Sequence, residues 1–161
     1  MTSLEVEKLR DVDKIGGTGL DFVTDDIGIG DGVEAEDEEL LFTLGVTHVL
    51  NVHPMKMDYK KINYARIPWH DENDLERLDE ALDFIDQAIK SGGKVLVICG
   101  AGFERSPLTV FAFLHRKRKL SIEEAIYIVR TKRPQADLHL DWLKGWLQYT
   151  PEEHLHLRRY F

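Results

Sequence analysis

The stretch that decides the fold is Lys94 to Thr109, KVLVICGAGFERSPLT. It opens on Val95-Leu96-Val97-Ile98, an apolar run too short for a helix and rich in β-branched residues, which predicts a buried strand. Cys99-Gly100-Ala101-Gly102 follows as a tight small-residue loop. Arg105-Ser106-Pro107 then leads into an apolar helical pattern at Leu108, Val110, Phe111, Phe113 and Leu114. Strand, glycine loop, helix is the order that builds an anion site. Successive backbone N–H groups face one point, and the helix N-terminus adds about half a positive charge.

Such a field stabilises a dianion, and equally a thiolate. A free cysteine titrates near roughly 8.5, but beside a helix N-terminus and an arginine it can fall to about 3.5–7.5. Cys99, the chain's single cysteine, is therefore the expected nucleophile. Arg105 is expected to curl back over the loop, its planar fork matching two phosphate oxygens. The Ser106 hydroxyl is placed to donate to the sulfur as it leaves. Gly102 lets the backbone approach a phosphate without a Cβ in the way. Cys99, Gly100, Ala101, Gly102, Phe103, Glu104 and Arg105 together form the expected phosphate-binding loop. The competing reading is an inert buried cysteine. The strand before it and the helix beyond weigh against that reading.

CGAGFERS resembles the Cys-x-x-Gly-x-x-Arg-Ser/Thr signature of cysteine-dependent protein phosphatases, in the small dual-specificity branch. Ile27-Gly28-Ile29-Gly30-Asp31, Leu44-to-Asn51, Ile67-Pro68-Trp69-His70-Asp71 and Asp83-Phe84-Ile85-Asp86-Gln87-Ala88 are similar to that family's segments in order and spacing. So are Ser121-to-Arg130 and Lys132-Arg133-Pro134. The resemblance implies an α/β single domain of the dual-specificity phosphatase fold, with a central, mostly parallel twisted sheet flanked by helices. It divides the chain into an N-terminal arm (1–20), a catalytic domain (21–150) and a C-terminal tail or short helix (151–161).

The rest of the sequence agrees with one globular unit. At 161 residues, with 43% apolar and 31% charged residues, the chain is large enough to bury roughly two-thirds of its surface. It has no apolar run of 18 or more, no secretory leader pattern and one cysteine, so we expect an intracellular, reducing, cytoplasmic location and no membrane. A net charge of −8 argues against nucleic acid, and a monomer is favoured. Residues 1–14 read as a loose helix or arm, and Gly16-Gly17-Thr18-Gly19 as a turn. Val33 to Leu44 reads as one helix whose early acids, Glu34 to Glu39, are explained by the macrodipole and solvation rather than by a metal. Strands are expected over Val46–Val52 and Ile62–Ile67, joined by His53 to Asp58. Helices are expected over Asp74–Lys90, from the phosphate loop to about Arg118, and from the Ser121 capping box to about Thr131. A last helix is expected from about Asp137, with Leu138, Trp142, Leu143, Trp146 and Leu147 as its core face. No metal and no cofactor are expected.

Phosphoryl transfer to sulfur expels an alkoxide or phenoxide, which needs a proton. The resemblance places the general acid in the loop after Ile67-Pro68, at Asp71, with Asp74 as its local competitor. As an alternative, Asp71 and Asn73 cap the coming helix. Three departures from the family pattern stand out: Ile98 where a histidine is usual, Glu104 where a small hydroxyl residue is usual, and a segment between Asp71 and Asp83-Phe84-Ile85-Asp86 that is a few residues shorter than is typical. Glu104 either faces the phosphate and repels it or turns outward to a basic residue. Two functions follow. One is a protein phosphatase hydrolysing phosphotyrosine and phosphoserine/phosphothreonine through a cysteinyl-phosphate, with a phosphorylated protein or peptide as substrate. The other is a pseudophosphatase, a phospho-binding or scaffold domain with little turnover.

Overall fold

The computed structural model describes residues 19–53, 63–100 and 103–161. Expectations about the arm, the turn before Gly19, residues 54–62, Ala101 and Gly102 lie outside the described residues. Five strands form one sheet: β1 (Asp21–Phe22), β2 (Ile27–Asp31), β3 (His48–Asn51), β4 (Asn63–Arg66) and β5 (Val95–Cys99), in the order β1-β2-β5-β3-β4. β1 runs antiparallel to β2, and all the other pairings are parallel. This is the mostly parallel α/β sheet that the sequence predicts.

β5 lies at the centre, and every one of its residues is buried. Parallel strands covered on both faces read as continuous apolar runs, as Val95 to Ile98 does. Alternate side chains serve two cores. Val95, Val97 and Cys99 face the large core with Ile27, Ile29, Leu50 and Phe111. Leu96 and Ile98 face the smaller one with Leu40, Leu41, Leu44 and Val49. Each such burial is worth about 1.5–3 kcal/mol. The large core is closed by α3 (Leu75–Lys90), α4 (Arg105–Arg116) and α5 (Ile122–Lys132). On α3 the buried residues Leu78, Ala81, Leu82, Ile85 and Ala88 make one stripe. α5 starts at the expected capping box, with Ser121 Oγ accepting from Glu124 N and Glu124 returning to Ser121 N.

Two helix expectations need correction. Val33–Leu44 is two helices, α1 (Gly32–Glu36) and α2 (Glu38–Leu44). Asp37 leaves helical geometry and caps Leu40 N at 3.0 Å, the usual competition of a short acid with the helix backbone. α2 ends at Gly45, whose φ of +76° only glycine adopts cheaply. Nor are all the acids solvated: Glu34 completes a capping box with Asp31 and is 3% exposed. The helix expected from Asp137 is only a 3-10 turn, Leu140–Leu143. Its start is diverted because Asp137 N donates to Phe103 O at 2.7 Å, tying this segment to the loop after Cys99. Leu138, Leu143, Trp146 and Leu147 are nevertheless buried as expected. Beyond them lie α6 (Pro151–Leu157) and a 3-10 turn, Arg158–Tyr160.

Candidate active site

Cys99 ends β5 and Arg105 begins α4, which puts both at the C-terminal edge of the sheet. Pro107 sits in the first turn of α4, where the missing N–H costs nothing. No side chain caps this helix among the described residues, which leaves its first N–H groups directed at the loop. Ser106, fully buried, brings its Oγ to 3.2 Å from the Cys99 Sγ. That is the contact needed for a hydroxyl to stabilise a sulfur leaving group. Gly100 has a local reason to be glycine, since a Cβ there would lie 3.0 Å from the His53 ring nitrogen Nε2.

Arg105 is held from below. Its guanidinium carbon stands 5.8 Å from the Trp142 ring centroid. Trp142 stacks on His139 with centroids 4.4 Å apart, and meets Trp69 edge-on at 6.2 Å. The Trp69 indole donates to Thr109 Oγ1 at 2.9 Å, and that hydroxyl donates to the Arg105 carbonyl at 2.6 Å. With these supports in place, Arg105 Nε is buried and has no hydrogen-bond partner among the described residues. A buried charged donor without an acceptor is costly unless a ligand supplies one. Trp69, Thr109 and Trp142 did not stand out in the sequence as site residues. Only the tertiary fold brings positions 69, 109 and 142 together, so no local signal marks them.

Glu104 takes the outward option. Its carboxylate lies 3.5 Å from His139 Nε2, and Asp137 lies 3.3 Å from the same nitrogen. The loop of residues 69–74 is fixed by Trp69, whose backbone N–H donates to Val52 O at 3.3 Å. Within it, Asp74 accepts from His70 N at 2.9 Å, from Asp71 N at 3.1 Å and meets His70 Nδ1 at 3.0 Å. Partial burial acts to raise the Asp74 carboxyl. The hydrogen bonds from His70 and Asp71 outweigh it and hold Asp74 below the ordinary carboxylate value. Asp71 accepts from Asn73 N and Nδ2 through Oδ1 alone, and it does not cap α3, whose N-cap is Asp74. His53, read from the sequence only as part of a connection, stands beside this loop. Burial, then the positive charges of Arg105, His70 and Arg66, push its imidazole below its ordinary value. A cleft of about 730 Å³ between His115, Leu120 and Leu157 holds none of these groups. Among the described residues no cluster could hold a metal ion, and no helix is long and apolar enough to cross a membrane.

Comparison with known proteins gives the arrangement a family. The model of the dual specificity phosphatase catalytic domain matches residues 29–150. Dual specificity protein phosphatase 1B of Arabidopsis thaliana is 37% identical over 129 residues, covering 75% of each chain. Dual specificity protein phosphatase 1 of the same plant is 33% identical over 124 residues, covering 72% of this chain and 61% of its own length. The crystal structure of human DUSP28 superposes with a TM-score of 0.68 at 27% identity, covering 88% of this chain and 91% of that one.

Proposed function

The chain belongs to the dual specificity phosphatase family and is a protein phosphatase, and from that premise we propose that it works through a Cys99 phosphoenzyme. The observation that carries this reading is the buried Arg105 Nε at the head of α4, without a hydrogen-bond partner among the described residues, beside the meeting of Cys99 Sγ and Ser106 Oγ at 3.2 Å. In the first step the Cys99 sulfur forms a bond to phosphorus as the ester P–O bond breaks. Asp71 gives its proton to the departing oxygen. In the second, water attacks phosphorus and passes its proton to Asp71. The S–P bond breaks, inorganic phosphate leaves, and the thiolate accepts stabilisation from Ser106. Arg105 and the loop supply the electrostatic work on the equatorial oxygens, so the reaction needs no metal. Phosphotyrosine and phosphoserine/phosphothreonine proteins are the proposed substrates. An intracellular, reducing location and a monomer belong to the same reading. Glu104, which argued for a binding-only domain, is supported in an outward role by its contact with His139.

Hydrolysis of a phosphotyrosine peptide in EDTA tests the scheme, with Cys99→Ser, Arg105→Lys and Asp71→Asn alongside. We expect no turnover with Cys99→Ser. Asp71→Asn should lose about 10²–10⁴-fold, the range for a positioned acid. Turnover that survives Cys99→Ser would sink the proposal.

A further inference from the structure

Arg133 is 0% exposed, a guanidinium sealed inside the protein. Its Nη1 donates to the Gly19 carbonyl and to Asp21 Oδ2, each at 2.9 Å, and reaches the Ile29 carbonyl at 3.5 Å. Ile29 lies two residues before Asp31 on β2, and Asp31 is the parallel partner of Cys99. Two strand residues span about 7 Å, so the cation stands behind the reacting sulfur rather than in the pocket. Both Cys99 and Asp31 lie within electrostatic reach of it.

The charges around the sulfur make such a cation necessary. Asp31 and Glu34, each 3% exposed, bring carboxylates to the same edge of the sheet, and Glu34 Oε1 has no hydrogen-bond partner among the described residues. Asp21 ends the other side of the group. On the positive side stands Arg105 from α4, while His53, against Gly100, is held toward its neutral form by burial and by the Arg105 charge. A buried carboxylate beside a sulfur disfavours a second negative charge there, and a buried cation restores it. Deep burial also spares this cation from salt screening.

We propose that Arg133 is a positioning residue of the phosphatase reaction, the buried counter-charge that keeps Cys99 reactive as a thiolate. The proposal rests on Cys99 as nucleophile but makes a separate claim, about a residue outside the phosphate-binding loop.

Alkylation by iodoacetamide reads the thiolate without turnover, and a single cysteine makes the signal unambiguous. Rates from pH 5 to 9.5 should be followed for the native chain, Arg133→Met, Arg133→Lys and Asp21→Asn, with circular dichroism to verify the fold. Arg133→Met should alkylate about tenfold more slowly at pH 6 yet match the native rate at pH 9.5, where either thiol is ionised. Arg133→Lys, which keeps the charge, should restore most of the rate. Asp21→Asn removes the acid that shares the cation and should alkylate about two- to threefold faster at pH 6. A folded Arg133→Met protein with native alkylation at pH 6 would overturn the inference. If that variant does not fold, Asp21→Asn decides, and a rate there equal to or below the native one overturns it. Either result leaves the phosphatase reading intact, because that reading falls only if Cys99→Ser still turns over.

Discussion

Asp71 and Asp74 share one loop, yet their hydrogen bonds differ. Asp74 accepts from the His70 and Asp71 backbones and meets the His70 ring, which binds it as a carboxylate and suits it to hold the loop. Asp74→Asn should therefore lower turnover on a phosphopeptide by about tenfold at most, while Asp71→Asn should lose the proton-transfer contribution of about 10²–10⁴. pH–rate profiles separate them, because only Asp71→Asn should flatten the acid-dependent limb. Reversed losses would make Asp74 the acid. Sequence alone left that pair open, since the hydrogen bonds that distinguish them depend on how residues 69–74 turn. His53 offers a second test at this scale. Burial and the Arg105 charge lower its folded value below the ordinary 6.5, so the unfolded chain binds more protons between those two values. Stability due to the neutral ring is then fully present above pH 6.5 and is lost as pH falls toward the folded value. His53→Gln should flatten the decline of Tm between pH 7 and 5. An unchanged slope would count against this account.

At the scale of elements, the sequence was legible where periodicity and capping agree. β5 read true because a parallel central strand must be apolar on both faces. α5 read true because Ser121 and Glu124 are a local signal. The reading failed where a side chain or a distant contact overrides periodicity. Asp37 splits Val33–Leu44 by capping Leu40, and Asp137 is held by Phe103 before a last helix can form. Trp69, Thr109 and Trp142 were invisible for the same reason, although they support Arg105. Thr109 joins two elements, receiving the Trp69 indole N–H and donating to the Arg105 carbonyl on α4. Thr109→Val keeps the shape but strands a buried indole N–H, which should cost about 1–3 kcal/mol. Denaturant unfolding measures that loss. Turnover should fall with it as the loop carrying Asp71 loosens from α4. Ser121→Ala is the control, about 1 kcal/mol less stable through its lost cap but with native turnover.

For the molecule as a whole, the fold was legible because strand, glycine loop and helix place a positively charged anion site at the sheet edge whatever the surface carries. The surface carries the opposite sign, a net charge of −8. These two fields have different reach. At about 0.01 M salt the screening length is about 30 Å, so an approaching substrate feels the whole anionic chain. At about 0.15 M it is about 8 Å, and only the pocket with Arg105 remains in range. Substrates that share one phosphotyrosine but differ in flanking charge should therefore diverge with salt. A peptide flanked by glutamates should gain about three- to tenfold in kcat/KM between those conditions as long-range repulsion is screened. One flanked by lysines should lose by a similar factor, because its attraction is screened instead. kcat should hold nearly constant for both, since the chemistry lies inside the screened pocket. Initial rates at substrate concentrations far below KM read this directly. A parallel fall for both peptides would mean that the local field of the loop, and not the charge of the chain, governs encounter.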